Sequence, residues 1–363
     1  MRVSVPTIPD AVLRAAAQTP TVSPAVAVDR IARFFEHGHV AVLTGAGVSV
    51  DSGIRAYRGE KGSYLNPNYK PIFYHELMEA TPRGASFRQR YWLRSYLGYP
   101  PVRDAQPNPT HFALAALQYA SVAPHIITQN VDGLHHKAIR TAWDDARRAE
   151  GILELHGTLH SVKCSHGHPV DRQGFQDMIG VANPQWKAYA EQLERSDSRP
   201  RTNPDGDVVL PEGTRYDQFV VPECTRCLQE NRHNSMLKPE VIFFGESISA
   251  QVKDKSFEIV DTHERLFIVG TTLATFSAYR LVKHAIEKRK PVLVLNIGPT
   301  RAHELAGIEI IELPAGAILR EVVKRVLGST AERDPVISRL LTSGIVKTPP
   351  DDYDDPIPRP TGR

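Results

Sequence analysis

The stretch Val40-Ala41-Val42-Leu43-Thr44-Gly45-Ala46-Gly47-Val48-Ser49-Val50-Asp51-Ser52-Gly53-Ile54-Arg55-Ala56-Tyr57-Arg58-Gly59 decides the fold. Val40 to Leu43 is a short apolar run and reads as a buried strand of a parallel sheet. The run breaks at Gly45-Ala46-Gly47, where two glycines permit a tight turn and bring backbone N–H groups close to an anion. Val48 to Ser52 is expected to open a helix facing that turn. A strand, a glycine turn and a helix N-terminus together make a phosphate cradle. The spacing is not G-x-G-x-x-G, since Val50 stands at the third glycine position. It is not a P-loop either, since no G-K-[ST] follows. Gly-Ala-Gly alone therefore leaves a plain turn and a nucleotide site both open. Ser52 to Gly59 is polar and punctuated by glycine, which predicts a mobile loop over the cradle.

The 363 residues suggest about two domains. A hydrophobic fraction of 41% and a charged fraction of 23% describe an ordinary globular chain able to bury a large core. The net charge of +3 gives no argument for nucleic acid. No apolar run approaches the roughly 18 residues that a membrane span needs. Three cysteines fit a reducing or metal-binding setting better than a disulfide framework. The first 28 residues carry Arg2, Arg14, several Ser and Thr and the single acid Asp10. That composition suits a mitochondrial transit peptide and equally a disordered Pro/Ala-rich arm.

Along the chain, Ala27, Ile31, Phe34 and Phe35 mark a helical face leading into the Val40 strand. FYHELMEA and FRQRYWLRSYLGY read as helical pieces interrupted by Thr81-Pro82, and Pro107 to Thr110 caps a helix through Tyr119. A second buried strand, His125 to Thr128, ends in Gln129-Asn130-Val131-Asp132-Gly133-Leu134-His135. Polar residues crowded at a strand's carboxyl end suit ligand binding in an open sheet, or a helix N-cap. His156, beside Gly157, stands just before a change in composition and suits an imidazole near a cofactor. Residues 161–238 read as an insertion around Cys164, Cys224 and Cys227, with a helix over Pro184 to Arg195. The parallel pattern is expected to return with strands at Val241–Phe244, Leu266–Val269 and Val292–Leu295, separated by helices near 250–260, 277–288 and 315–327. This alternation gives an α/β fold with a doubly wound parallel sheet. The expected organisation is a flexible arm over 1–24, a sheet domain from 25–160 and 239–330, the inserted small domain, and a largely disordered tail over 331–363.

Gly45-Ala46-Gly47-Val48-Ser49, Ser52-Gly53-Ile54, Tyr57-Arg58, Gln129-Asn130-Val131-Asp132, Leu155-His156-Gly157, Lys238-Pro239, Phe243-Phe244-Gly245-Glu246 and Gly270-Thr271 resemble the ordered motif series of the sirtuins. FRQRYWLRSYLGYP, Pro204 to Val208 and Asn296-Ile297-Gly298-Pro299-Thr300-Arg301 further resemble the mitochondrial, class II branch. The resemblance implies a Rossmann-like NAD-binding domain with a small zinc-ribbon-like insertion, and an NAD-consuming deacylase acting on acylated-lysine proteins. It implies that Gly45, Ala46, Gly47 and Ser49 approach the pyrophosphate, and that Gly270, Thr271, Thr272, Asn296, Ile297 and Gly298 lie near the adenosine half. Gln129, Asn130 and Asp132 would face the nicotinamide end, with Tyr57 and Arg58 in the cofactor loop. His156 would be the general base, at an ordinary imidazole pKa of about 6.5. Asn130 would assist catalysis, and Phe244, Gly245 and Glu246 would pair with substrate as a strand. Products would be lysine, nicotinamide and O-acyl-ADP-ribose. Relatives' zinc sites imply that Cys164, Cys224 and Cys227 hold structural zinc, with His166 or His168 as fourth ligand; a site that has lost its metal is the alternative.

Protein mono-ADP-ribosylation from the same site, and a weak NAD-binding scaffold, are competing functions. The acyl chain, the oligomeric state and the protein targets are not legible. Relatives' cofactor loop reads Pro-Asp where this chain has Arg55-Ala56, which should slow or alter turnover. Restoring Arg55→Pro with Ala56→Asp should raise kcat/KM, measured by nicotinamide release; an unchanged value rejects the idea.

Overall fold

The computed structural model describes residues 7–58, 62, 71–195, 208, 210 and 213–349. Gly59, Pro204 to Asp207 and the tail from 350 lie outside the described residues. Nine strands are present among them: β1 (Val40–Thr44), β2 (His125–Thr128), β3 (Ile152–Glu154), β4 (Gly157–Cys164), β5 (Pro169–Asp171), β6 (Leu237–Val241), β7 (Arg265–Val269), β8 (Val292–Leu295) and β9 (Glu309–Ile311). Six of them form one parallel sheet in the order β3-β2-β1-β7-β8-β9. Every residue of β1 is buried, as a central strand covered on both faces requires. Strand order runs outward in opposite directions from β1 and β7, so the crevice beyond their carboxyl ends is the fold's natural ligand position.

Period-two alternation sends β1 side chains to two separate cores. Val40 and Val42 join Ile31, Phe35, Leu114, Leu117, Phe267 and Leu319 on one face. Ala41 and Leu43 join Ile127, Ile268, Leu281 and Val294 on the other. Flanking helices include Pro24–Phe35, Pro109–Tyr119, Ala250–Thr262, Phe276–Glu287 and Ala315–Leu327. The Asn108 cap is as the sequence suggests. Its Oδ1 accepts from the N–H of Thr110 and of His111, while its Nδ2 donates to Val48 O at 2.7 Å and Ser52 Oγ at 3.0 Å. The cap thereby fastens the Pro109–Tyr119 helix to the segment after the glycine turn.

Three expectations need correction. Val48 to Ser52 is not a helical start; a single 3-10 turn at Ala46–Ser49 follows Gly45. The Val241 to Phe244 run does not re-enter the parallel sheet. β6 instead pairs antiparallel with β4, giving a second sheet in the order β5-β4-β6. The helix Pro82–Asp104 runs through Pro100 and Pro101, and Tyr91, Trp92 and Tyr96 fill the same core as Phe175, Phe219 and Cys227. The small domain thus draws on residues well before 161.

The ends also differ from expectation. Asp10–Ala16 is helical, with Val12 fully buried. Thr330–Arg333 and Pro335–Thr342 are helices, although 331–363 was expected to lack structure. Asp334 caps the second, Pro335 occupies its first turn, and Ile337, Leu340 and Leu341 form an i, i+3, i+4 stripe. That stripe buries against the core containing Leu114 and Val323. Lys347 N–H then donates to Asp51 O at 2.8 Å, so the C-terminal segment reaches the turn region. Leu340 is 2% exposed, and Leu340→Ala should destabilise the chain by about 2–5 kcal/mol. Urea unfolding checks this, with a loss under 0.5 kcal/mol ruling out a packed tail.

Candidate active site

The carboxyl ends of β1 and β7 meet at very short range. Gly45 N–H donates to Val269 O at 3.3 Å and Gly47 N–H to Gly270 O at 2.9 Å. A Cβ on Gly47 would lie 2.8 Å from Gly270 O, and one on Gly45 would lie 2.6 Å from Thr271 Cβ. Gly270 itself has φ of +63°, which disfavours any side chain. The glycines therefore let two strand ends close on each other. Their amides are spent on protein carbonyls, which corrects the expectation that both would be offered to an anion.

Ser49, Asn130 and Asp132 form one buried cluster beside this junction. Ser49 Oγ donates to Asp132 Oδ2 at 2.7 Å and accepts from Asn130 Nδ2 at 3.1 Å. Asn130 Nδ2 also lies 3.1 Å from Gly45 O. Leu134 N–H donates to Asp132 Oδ1 at 2.9 Å, so Asp132 satisfies the first N–H of the Leu134–Ile139 helix from outside its N-cap, which is Gly133. Burial raises the Asp132 carboxyl above its ordinary range, opposed by those two hydrogen bonds. Behind the cluster, His111 Nε2 sits 3.4 Å from Ser49 Oγ, and His135 Nε2 sits 3.0 Å from Thr44 Oγ1. Both imidazoles are depressed by burial, His135 to about 3, and act as neutral hydrogen-bonding groups. His135 closed the polar run that follows β2 in the sequence, whereas His111 did not stand out. His111 lay inside a helix-cap pattern that accounted for it.

Gln129 is the hub of the next shell. Its Nε2 donates to Thr271 Oγ1 at 2.9 Å and to Thr44 O at 3.1 Å, and its Oε1 accepts from Thr275 Oγ1 at 3.0 Å. Its main-chain carbonyl lies 3.1 Å from His156 Nδ1, and His156 Nε2 lies 2.7 Å from Ser277 Oγ. A carbonyl only accepts, so Nδ1 carries the proton and Nε2 presents its lone pair. Burial depresses the His156 pKa to about 4, with the Gln129 carbonyl opposing. The ring is thus neutral at pH 7 with a wide margin, rather than poised near 6.5 as its residue type alone suggests.

The other expected residues divide. Asn296 Nδ2 donates to Ile297 O and Gly298 O at 3.0 and 3.1 Å, and the Ile297 side chain is 66% exposed at the β8 end. An exposed apolar side chain above a strand end suits an aromatic base. Thr272 O accepts from Arg301 N–H at 3.0 Å on the same edge. Tyr57 and Arg58 are half-buried, whereas Ser52, Ile54 and Arg55 are buried, so the start of the loop packs down. Phe244 bridges in parallel to Phe73, and Gly245 has φ of +82°. Glu246 turns inward, its Oε1 3.1 Å from Lys238 Nζ and its Oε2 accepting from Phe243 N–H. Among the expected substrate residues, Glu246 is therefore anchored to its own loop.

Cys164, His168, Cys224 and Cys227 converge in the small domain, their ligand atoms all within 4.8 Å of one another. Cys164 and Cys227 sulfurs are 3.6 Å apart, and His168 Nδ1 is 3.3 and 3.7 Å from Cys227 and Cys224 Sγ. Donors about 2.0–2.3 Å from a tetrahedral zinc are separated by such edges, so the set fits the metal. His168 Nε2 lies 3.5 Å from Glu230 Oε2, the carboxylate partner that ligating histidines commonly have. His166 Nδ1 reaches Cys227 Sγ at 3.4 Å but stands outside the mutually close set.

Residues 45–277 match the model of the Sir2 family. The chain is 42% identical over 295 residues to the NAD-dependent protein deacylase SIR4 of Batrachochytrium dendrobatidis, covering 80% of this chain and 90% of that one. It is 37% identical over 271 residues to the human NAD-dependent protein lipoamidase sirtuin-4, mitochondrial, covering 74% and 77%. A solved Sir2 homologue–NAD complex superposes with a TM-score of 0.56 at 23% identity, over 82% of this chain and 93% of that one, and so shares its fold. With its parallel sheet, its glycine junction and its identity to these relatives, the chain belongs to the Sir2 family.

Proposed function

We propose that this chain is an NAD-dependent protein-lysine deacylase that passes the acyl group to ADP-ribose and releases nicotinamide. The observation that carries the reading is the neutral His156 ring, its Nδ1 proton held by Gln129 O and its Nε2 lone pair turned to the Ser277 hydroxyl. NAD supplies a ribose carbon that an amide oxygen can attack once nicotinamide leaves. The protein's part is to bind, orient and move one proton. Ile297 and Asn296 take the adenosine end, the Gly45–Ser49 turn lies under the pyrophosphate, and Asn130 with Asp132 orients the nicotinamide ribose. His156 Nε2 accepts a proton from a ribose hydroxyl, for which an uncharged ring is required. An acylated lysine on a protein enters beside Phe244 and the segment after Thr272. Relatives named as mitochondrial, together with the acid-poor N-terminal residues, support a mitochondrial location.

The small domain holds zinc through Cys164, Cys224, Cys227 and His168, with Glu230 behind the imidazole. Zinc there has a structural role, since all four protein ligands close the coordination shell.

His156→Ala should lower deacylation about 100- to 10,000-fold, followed as nicotinamide and O-acyl-ADP-ribose by mass spectrometry. Undiminished acyl removal, or a ribosylated protein in place of the small product, overturns the reading. Metal analysis should find one zinc per chain, lost or weakened in His168→Ala with a lower Tm and retained in His166→Ala. The reverse pattern moves the fourth ligand to His166.

A further inference from the structure

Resting on the general-base reading of His156, we infer that the Ser277 hydroxyl is an internal stand-in for the ribose hydroxyl, competing with NAD for Nε2 and so setting the affinity of the chain for its co-substrate. The tautomer is the first step. Nδ1 must donate to Gln129 O, leaving Nε2 with one in-plane lone pair, and the hydroxyl 2.7 Å away donates into it. A single lone pair accepts one such proton, so Ser277 and an incoming hydroxyl cannot both use it.

Placement is the second step. Ser277 lies in the first turn of the Phe276–Glu287 helix, and the segment before it is tied down twice to the residue that holds the ring. Thr271 Oγ1 accepts from Gln129 Nε2 and Thr275 Oγ1 donates to Gln129 Oε1. The hydroxyl is therefore delivered to Nε2 by a closed ring of contacts running through Gln129, Thr275, Ser277 and His156. Ser277 is itself only half-buried, so its hydroxyl is not sealed in a core and a ligand can replace it. The Ser277 hydroxyl makes no other hydrogen bond among the described residues. Rotating its side chain away costs that one bond and breaks no second one.

Replacing an intramolecular hydrogen bond by one to water removes its net advantage, on the order of fivefold in an equilibrium constant. Ser277→Ala in the full chain should therefore lower KM for NAD about fivefold at saturating acyl-peptide, with kcat unchanged. Ser277→Thr, which keeps the hydroxyl, should stay near wild type. Calorimetric titration of NAD into His156→Ala and into the double variant supplies the decisive arm: without the imidazole, Ser277→Ala should no longer change the affinity. A KM that stays the same or rises in Ser277→Ala, or a gain that persists without His156, overturns the inference alone. A wild-type chain that binds no NAD overturns the deacylase reading along with it.

Discussion

The structure depends on one close contact, the approach of the β1 and β7 carboxyl ends at Gly45, Gly47 and Gly270. Parallel strands that diverge in topology leave a crevice at their ends. Here the crevice floor is made by two main chains with no side chain between them. The amides of Gly45 and Gly47 complete the β7 end, and the 3-10 turn that follows points Ser49 at Asp132. A methyl group at Gly47 would have to push back the main chain of Gly270. Neither backbone can move without shifting the buried strand it terminates.

From this floor the site is assembled by polar groups that satisfy one another while buried. Unpaired polar atoms at such depth are costly, so Ser49, Asn130 and Asp132 bond among themselves and Thr44 bonds Thr128 and His135, with His135 Nδ1 left as the buried atom without a partner in this group. Gln129 does the same for the β2 end, the Thr271–Thr275 segment and His156. Burial also fixes the chemistry. The same loss of water depresses His156 and favours its uncharged form.

Much of this was legible in the sequence because it rests on local patterns. Val40 to Leu43, His125 to Thr128, Leu266 to Val269 and Val292 to Leu295 are apolar runs ending in polar or glycine residues, and each became a strand of the parallel sheet. Val241 to Phe244 carries the same signal, but only Val241 lies in a strand, pairing antiparallel with β4, because pairing partner is a long-range property that a run of four apolar residues does not encode. β3 and β9 have three residues each, too short for periodicity to reveal. The helix Pro335–Thr342 had a cap, a first-turn proline and an apolar stripe, and the Pro- and Asp-rich composition beyond it obscured them. Thr275 and Ser277 belong to no local pattern, and His111 reads only as part of a helix cap; the fold brings them to the cleft.

The two sheets are coupled at the residue that matters most. β3 ends at Glu154 in the parallel sheet, β4 begins at Gly157 in the antiparallel one, and His156 stands between them. Gly157 has φ of +74°, and a Cβ there would come 1.8 Å from Glu240 O, so the crossing is too tight for a side chain. His156 O accepts from Ile242 N–H, while its ring is held by Gln129 on the parallel-sheet side. The imidazole is thus held by one domain through its main chain and by the other through its side chain. The same strand β4 also meets the cleft beyond His156: Leu159 N–H donates to Val131 O at 3.0 Å and His160 Nε2 lies 2.8 Å from Asp132 O, so the metal-bearing sheet and the polar cluster share several contacts.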